Sequence, residues 1–496
     1  MRRKTAEGKT PEELKAVKFT KMTTQPVQKL VIELAVPTII SMLVTAFYNI
    51  ADTFFVGQVG TAATAGVGLI FPVMTIIQAF GFFYGQGSGN YISRALGAKQ
   101  EKEAEEMAAT GNILAFLFGG LILLTGTLFA GPVLHVLGAR EGAVTNQTIR
   151  YASDYFCIIL IGAPFMCMSC VLNNQLRFQG NAFFSMIGLV SGAVLNCGLD
   201  PLFIFVFKME VAGAATATVV SQITSCAILY IGTLRSDSLK IRLRNFRPTL
   251  KNLNNIAVGG TPSLFRQSLQ SVATLCLNTA AGSAVAASQS DAAIAAFSVV
   301  SKVMAFAFSA LLGFGQGFQP ICGFNYGAKK YDRVKHAYVF CLKVGLAALF
   351  IESCLAFSFA PQLVAVFRDD PDVIRYGTVA MRCQACTLTL MAIVTMTNML
   401  YQNIGRVVGA TLLAVARQGL MFIPVVLVLP SLFEEHIRGV YLAQPVADVF
   451  AFCLALPLAI RMYRELTRKE KEAALEDGGL TEKKTIPAEG SMTNKE

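Results

Sequence analysis

Asn196 and Asp200 stand four residues apart in Asn196-Cys197-Gly198-Leu199-Asp200-Pro201, so on a helix they share one face. The run around them is otherwise Leu, Val, Phe and Ile. A carboxylate inside an apolar span is a functional-site candidate by default. A second acid, Asp52 in Asn49-Ile50-Ala51-Asp52, occupies a comparable place. From Pro37 to Asp52 is fifteen residues, about 22 Å of helix at 1.5 Å per residue, and Thr53-Phe54-Phe55-Val56 carries the apolar run beyond it. Two carboxylates close together in a low-dielectric site cannot both ionise cheaply, so such a pair holds a proton or takes a cation between its members. Asn196, Tyr155 and Thr218 would add neutral oxygens, for hydrogen bonding or for coordinating Na⁺. The chemistry expected of these five residues is binding of H⁺ or Na⁺, with Na⁺ held at Asp52, Asn196 and Asp200.

The elements that must position them are membrane spans. The chain has 496 residues, 54% hydrophobic and 15% charged, with no Trp and a mean hydropathy of +0.54, the composition of an all-α polytopic membrane protein. Twelve apolar stretches of membrane-crossing length are expected near 31–56, 62–90, 107–134, 152–176, 183–207, 212–234, 256–285, 291–322, 337–360, 376–400, 407–430 and 438–463. The fifth would run from the N-terminal side outward, placing Asp200 in the far half of the bilayer. Thr218 would enter the sixth from that side, about 9 Å deep, and Tyr155 would start the fourth at similar depth, so all five residues could share one pocket.

The second half of the chain repeats the first. Gly315-Gln316-Gly317 and Gly327-Ala328-Lys329 reproduce Gly85-Gln86-Gly87 and Gly97-Ala98-Lys99 at an offset of 230, while Pro37 and Pro262, Gly180 and Gly405, and Gly213 and Gly439 match at 225 or 226. This predicts two homologous six-helix bundles, 30–234 and 255–463, joined by a basic linker, 235–254, and flanked by a basic segment, 1–29, and a charged tail, 464–496. The tail should lose its structure after a short helical extension. An even number of spans per half keeps both halves in one orientation, a parallel repeat whose central cavity suits alternating access. Pro37, Gly85, Gly87, Pro262, Gly315 and Gly317 are the candidates for gating and backbone flexibility. At an offset of 225 the mates of Asp52, Asn196 and Asp200 are Leu277, Met421 and Val425, so the acidic constellation belongs to the first half alone.

A net charge of +11 invites a nucleic-acid reading that the placement of the charges opposes. With both termini cytoplasmic, about 31 of the 42 Lys and Arg fall inside, about 6 outside and about 5 within spans. Arg235, Lys240, Arg242, Arg244, Arg247 and Lys251 all crowd the middle linker. The N-terminal stretch lacks a small-residue cleavage site and is expected to stay in place. Cys167 with Cys170 and Cys383 with Cys386 have metal or redox spacing, but no His accompanies them in the apolar runs, so they read as small packing residues. His135, His336 and His436 are expected in connections, and without a His or a paired nucleophile and base at membrane depth the chain does not read as an enzyme. Arg266, Gln267 and Lys302 are candidates to line a substrate cavity, while Lys343, Glu352 and Arg382 can snorkel or pair near helix ends.

These motifs, Pro37 followed by Asn49 through Gly57, the paired Gly-Gln-Gly and Gly-Ala-Lys, Asn196 through Pro201, and Gly213 through Thr218 with Ser221-Gln222, occur in order over residues 25–465. In them the chain resembles the multidrug and toxic compound extrusion (MATE) family of cation-coupled antiporters. The resemblance implies a V-shaped pair of six-helix bundles and a cation site at Asp52, Asn196 and Asp200, with Tyr155 and Thr218 as further matches. Arg266, Gln267 and Arg382 stand where the NorM-like branch has acids, so the chain is more similar to the DinF-like branch.

The function expected is a secondary antiporter of the plasma (cytoplasmic, inner) membrane that exports amphipathic, often cationic, organic compounds in exchange for H⁺ or Na⁺. It would need no cofactor and no nucleic acid, and would work as a monomer in the lipid bilayer. The alternative is a flippase for a lipid-linked saccharide, which would use Arg266, Lys302, Lys343 and Arg382 to hold a pyrophosphate headgroup.

Overall fold

Within a bilayer every backbone N–H and C=O must be satisfied internally, and a helix does this span by span. In a computed structural model, which describes residues 11–139, 144–235, 239–286, 289–368 and 370–484, these residues fold as helices joined by short turns. The first half supplies spans Val27–Val59, Thr61–Gly97, Glu101–Leu128, Asn146–Phe178, Ala182–Val206 and Glu210–Arg235. The second supplies Leu250–Ser283, Ser290–Gly327, Tyr331–Ser358, the pair Pro371–Leu388 and Met391–Asn403, Val407–Leu432, and a last helix that begins at His436. Ten of the twelve are unbroken and apolar enough to cross a membrane on their own. The seventh is long enough at 34 residues but carries Arg266, Gln267 and Gln270 in its middle. The tenth bends by 55° between Leu388 and Met391. The repeat mate of that break, at an offset of 225, is Pro164, through which the fourth span runs as one helix.

The internal repeat extends to backbone and side-chain geometry. Lys99 and Lys329 both turn with positive φ, 60° and 58°, as do Gly180 and Gly405 at 82° and 81°. Asn173 donates to Ser185 O and Asn398 to Ala410 O, two pairs related residue for residue by 225. The same turn chemistry therefore closes the second and eighth spans, and the same cross-bond follows the fourth and tenth.

The bundles meet where the second span packs along the seventh and the eighth along the first. Glycines make that approach possible. A Cβ at Gly87 would stand 2.2 Å from Ile256 O, and one at Gly317 2.5 Å from Ala35 Cα. The second and eighth helices run unbroken through Gly85, Gly87, Gly315 and Gly317, so here these glycines set helix separation. Thr38 beside Pro37 adds a hydrogen bond across the seam, Oγ1 to Gly313 O at 2.6 Å. Several of the closest contacts, Gly97 to Phe324 and Gly327 to Arg94 among them, fall at the end of the molecule that carries the two termini.

At that end the polar flanks are more ordered than their composition suggests. Pro11–Thr24 is a helix whose Met22 is buried, and it bridges the halves. Lys15 pairs with Glu101 at 2.6 Å on one side; on the other, Asn325 donates to Met22 O, Lys330 to Thr23 O and Arg333 to Gln25 O. The last helix continues into the charged tail as far as Lys484, beyond the short extension expected, and Arg406 with Glu465, Lys335 with Glu470 and Lys469 with Tyr326 tie the start of that extension to the second bundle. His336 lies inside the ninth helix, within its first two turns, rather than in a connection. The linker is stitched to the third span by Asn245 to Glu105 and Lys251 to Glu103, both 3.2 Å.

Candidate functional site

Asp200 ends the regular part of the fifth helix, where Pro201 and the π-helical turn Leu202–Val206 follow. Asp200 is fully buried and Asn196, one turn earlier, is 2% exposed. Asn196 Nδ2 lies 3.4 Å from Asp200 Oδ1 and 3.5 Å from Thr218 Oγ1 of the sixth span. The first span brings Asp52 close enough for its charge to act on Asp200, and both acids act on Tyr155, whose hydroxyl meets Met74 Sδ at 3.4 Å. All five residues expected to share a pocket are therefore brought together in one bundle. Asp52 Oδ1, Asn196 Oδ1 and Asp200 Oδ2 are buried without a hydrogen-bond partner. Three orphaned oxygens, one on the first span and two on the fifth, form an acceptor set that a proton or a cation would satisfy.

Tyr48 completes the cluster and was not among the sequence candidates. It precedes Asp52 by one turn and feels the charge of both acids. Its i, i+4 relation to Asp52 was the available signal, the same relation that links Asn196 to Asp200.

On the terminal side of Asn196 lies a cavity of about 130 Å³ inside the first bundle. Tyr48, Asn196 and Thr218 form part of its wall next to the acids; Met42, Phe82, Met166 and Leu189 give apolar surface; and Asn173, Asn174 and Arg177 contribute a polar wall from the fourth span. Gln78 belongs to the wall too, and Gln267 of the seventh span donates to its Oε1 at 3.2 Å. Gln267 thus reaches the cavity through Gln78. Lys302 is exposed on the eighth helix and is not part of this wall, because the helix turns it away from the bundle interior.

Arg177 is the largest of the fully buried side chains, at 1% exposure. It donates to Gln316 Oε1, to Asn174 Oδ1 at 2.7 Å and to Gln319 Oε1 at 3.2 Å, and Gln86 joins through Asn174 and Gln319. The glutamines of the two Gly-Gln-Gly motifs thus converge on one guanidinium at the seam. Its repeat mate at an offset of 225 is neutral Gln402, which bonds to Gly259 O and Ser263 Oγ.

The second bundle holds a different charge arrangement where the first has its cavity. Arg417 Nε pairs with Asp448 Oδ1 at 3.0 Å, and Gln444 Nε2 reaches the same oxygen at 2.8 Å. Arg417 and Asp448 correspond, at 225 and 226, to Gly192 and Gln222 of the cavity wall. Asp448, 2% exposed, is a buried acid of the second half that the mates of Asp52, Asn196 and Asp200 do not reveal. Among the described residues no three His, Cys, Asp or Glu are grouped to hold a metal.

Comparison with known proteins places this geometry. The MatE family model matches residues 37–202 and 262–428. The "Multidrug export protein MepA" of Staphylococcus saprophyticus subsp. saprophyticus is 28% identical over 445 residues, 89% of this chain and 95% of that protein, and MepA of Staphylococcus aureus (strain MSSA476) is 26% identical over 443 residues, 89% and 95%. Among solved structures, an outward-facing MATE transporter of the MOP superfamily superposes with a TM-score of 0.83 at 25% identity, covering 90% of this chain and 99% of that one. A MOP superfamily transporter from Pyrococcus furiosus Vc1 (DSM3638), described by the reverse polarity of its binding pocket, gives 0.82 at 26%, with 90% and 99% covered.

Proposed function

The chain belongs to the MatE family, whose model matches both of its halves, and from that premise we propose that it is a secondary antiporter exporting amphipathic, cationic organic compounds in exchange for H⁺ or Na⁺. Relatives that it matches over nearly their whole length are multidrug export proteins, and the protein is a multi-pass transporter, not an enzyme. Its bundles are residues 30–234 and 255–463 with the basic linker 235–254 between them. The termini face the cytoplasm of a bacterial plasma membrane, in keeping with the Lys and Arg gathered at their end of the molecule.

The observation that carries the reading is the set of buried, unpartnered oxygens on Asp52, Asn196 and Asp200 beside a bundle cavity. A cation or proton entering from the outer side satisfies them, with Tyr155 and Thr218 completing the shell. Loading draws the first, fifth and sixth spans together at their outer ends, and the cavity that borders Asn196 and Thr218 loses its fit for the substrate. Antiport requires the two ligands to favour different states, since a ligand that binds both equally drives nothing. The tight glycine contacts at the terminal end correspond to a molecule closed toward the cytoplasm.

The flippase alternative is weakened by position. Of its four residues, Lys302, Lys343 and Arg382 are exposed and Arg266 is half-buried, and none of the four lines the cavity of the first bundle.

The test is efflux of a fluorescent cationic dye from reconstituted vesicles under a pH gradient and, separately, a Na⁺ gradient, with wild type and Asp200→Asn side by side. Movement driven by one gradient and lost in the variant supports antiport and names the ion. Dye movement that survives Asp200→Asn would overturn the coupling site.

A further inference from the structure

Arg177 is a buried cation without a counter-ion. Its five N–H donors meet only neutral amide oxygens, from Gln316, Asn174 and Gln319, and Nε is buried with no partner. Cys170 and a second cation, Arg266 of the seventh span, act on it electrostatically, and the Phe178 ring lies 5.1 Å from its guanidinium carbon. Among the described residues no carboxylate is within ion-pair reach of it. Burying a charge is costly unless it is paired, and transport proteins keep such a group where a ligand supplies the missing charge. Arg177 also lines the cavity.

We propose that Arg177 is the anion-recognising residue of the cavity in the first bundle, taking the aryl-carboxylate end of an amphipathic substrate. As Arg177 turns toward the cavity, the carboxylate oxygens accept from Nε–H, which has no partner where it stands, and from a neighbouring N–H in the paired geometry that a guanidinium offers. Asn173 and Asn174 give polar surface beside it, and Met42, Phe82, Met166 and Leu189 meet the ring. A volume of about 130 Å³ holds roughly one aromatic ring, so this site reads one end of a larger molecule. Arg177 forms part of the wall near the terminal end of the fourth span, while the acids are outside the wall, behind Asn196 at its other side. A zwitterion is thereby distinguished from a plain cation.

The arrangement also links substrate to seam. Gln316 and Gln319 belong to the eighth span, and an anion drawing Arg177 toward the cavity competes with them for the same guanidinium. A carboxylate thus loosens one of the few polar ties between the bundles.

This deepens the export reading and rests on that cavity as the place a substrate enters. The test uses purified full-length protein and a rhodamine dye as its benzoic acid and as the methyl ester, with affinities compared by fluorescence polarisation without any gradient. In wild type the acid is preferred; in Arg177→Gln the acid-to-ester ratio of affinities falls by roughly tenfold or more, and Arg177→Lys keeps part of it. A ratio taken within one preparation is independent of how much of a variant is folded. An unchanged ratio in Arg177→Gln, or no saturable binding of the acid to wild type, overturns the proposal. A phosphate monoester that displaces the acid more strongly than an aryl carboxylate of the same size overturns the carboxylate assignment in favour of a phosphate-bearing ligand. Selective binding through Arg177 by a protein that moves neither dye under either gradient would support the subsite and sink the antiport reading.

Discussion

Asn196 Nδ2 stands 3.4 Å from Asp200 Oδ1 and 3.5 Å from Thr218 Oγ1, so one neutral amide ties the acid of the fifth span to the hydroxyl of the sixth. Asn196→Ala removes both contacts and leaves Asp200 buried with a second oxygen lacking a partner. A hydrogen bond to a charged group contributes about 1.5–3 kcal/mol, so the ion concentration giving half-maximal dye efflux should rise roughly tenfold or more. An unchanged half-saturation would remove Asn196 from the cation shell.

Gly317 and Gly198 provide a matched pair of helical glycines. A Cβ at Gly317 meets Ala35 Cα at 2.5 Å across the seam, whereas one at Gly198 meets nothing within 4 Å. Gly317→Ala should destabilise this state by about 1–3 kcal/mol, seen as a lower Tm of the purified protein. Gly198→Ala should be neutral or stabilising by about 0.5–1 kcal/mol, since alanine suits a helix interior better. Equal melting of the two variants would mean that the seam yields easily.

Asp448 is held by Arg417, Gln444 and Thr387. Asp448→Ala strands the guanidinium and should cost about 3–5 kcal/mol, while replacing both Asp448 and Arg417 by Met should cost far less. The comparison is made by thermal melts of the two proteins. Equal losses would show that the pair acts through packing and not charge.

Arg333 donates to Gln25 O, and Lys330 to Thr23 O, which pins the end of the helix Pro11–Thr24 to the second bundle. The double substitution of both to Ala should free that helix, so trypsin should cut after Lys18 or Lys21 several-fold faster while the spans stay intact on a gel. Unaltered cleavage would mean that Lys15 with Glu101 and the burial of Met22 hold the helix unaided.

The sequence by itself determined the membrane class, the twelve spans, the two-fold repeat and the acids of the first bundle. The physical reason is local. Apolar runs of membrane length are readable one at a time, a charge within such a run stands out against its neighbours, and the i, i+4 spacing of Asn196 and Asp200 puts them on one face whatever surrounds the helix. Tertiary structure decided what no short window contains. Arg177, near the end of a span after Asn173-Asn174-Gln175, reads as an interfacial cation until Gln316 and Gln319, 139 and 142 residues away, close over it. Asp448 is likewise disclosed by its pairing with Arg417, 31 residues earlier, and Lys302 could be assigned to a surface only after the helices had packed. Burial and charge pairing are properties of the packed bundles, set by which helix faces meet, and the periodicity of a single helix does not say what its polar face will touch.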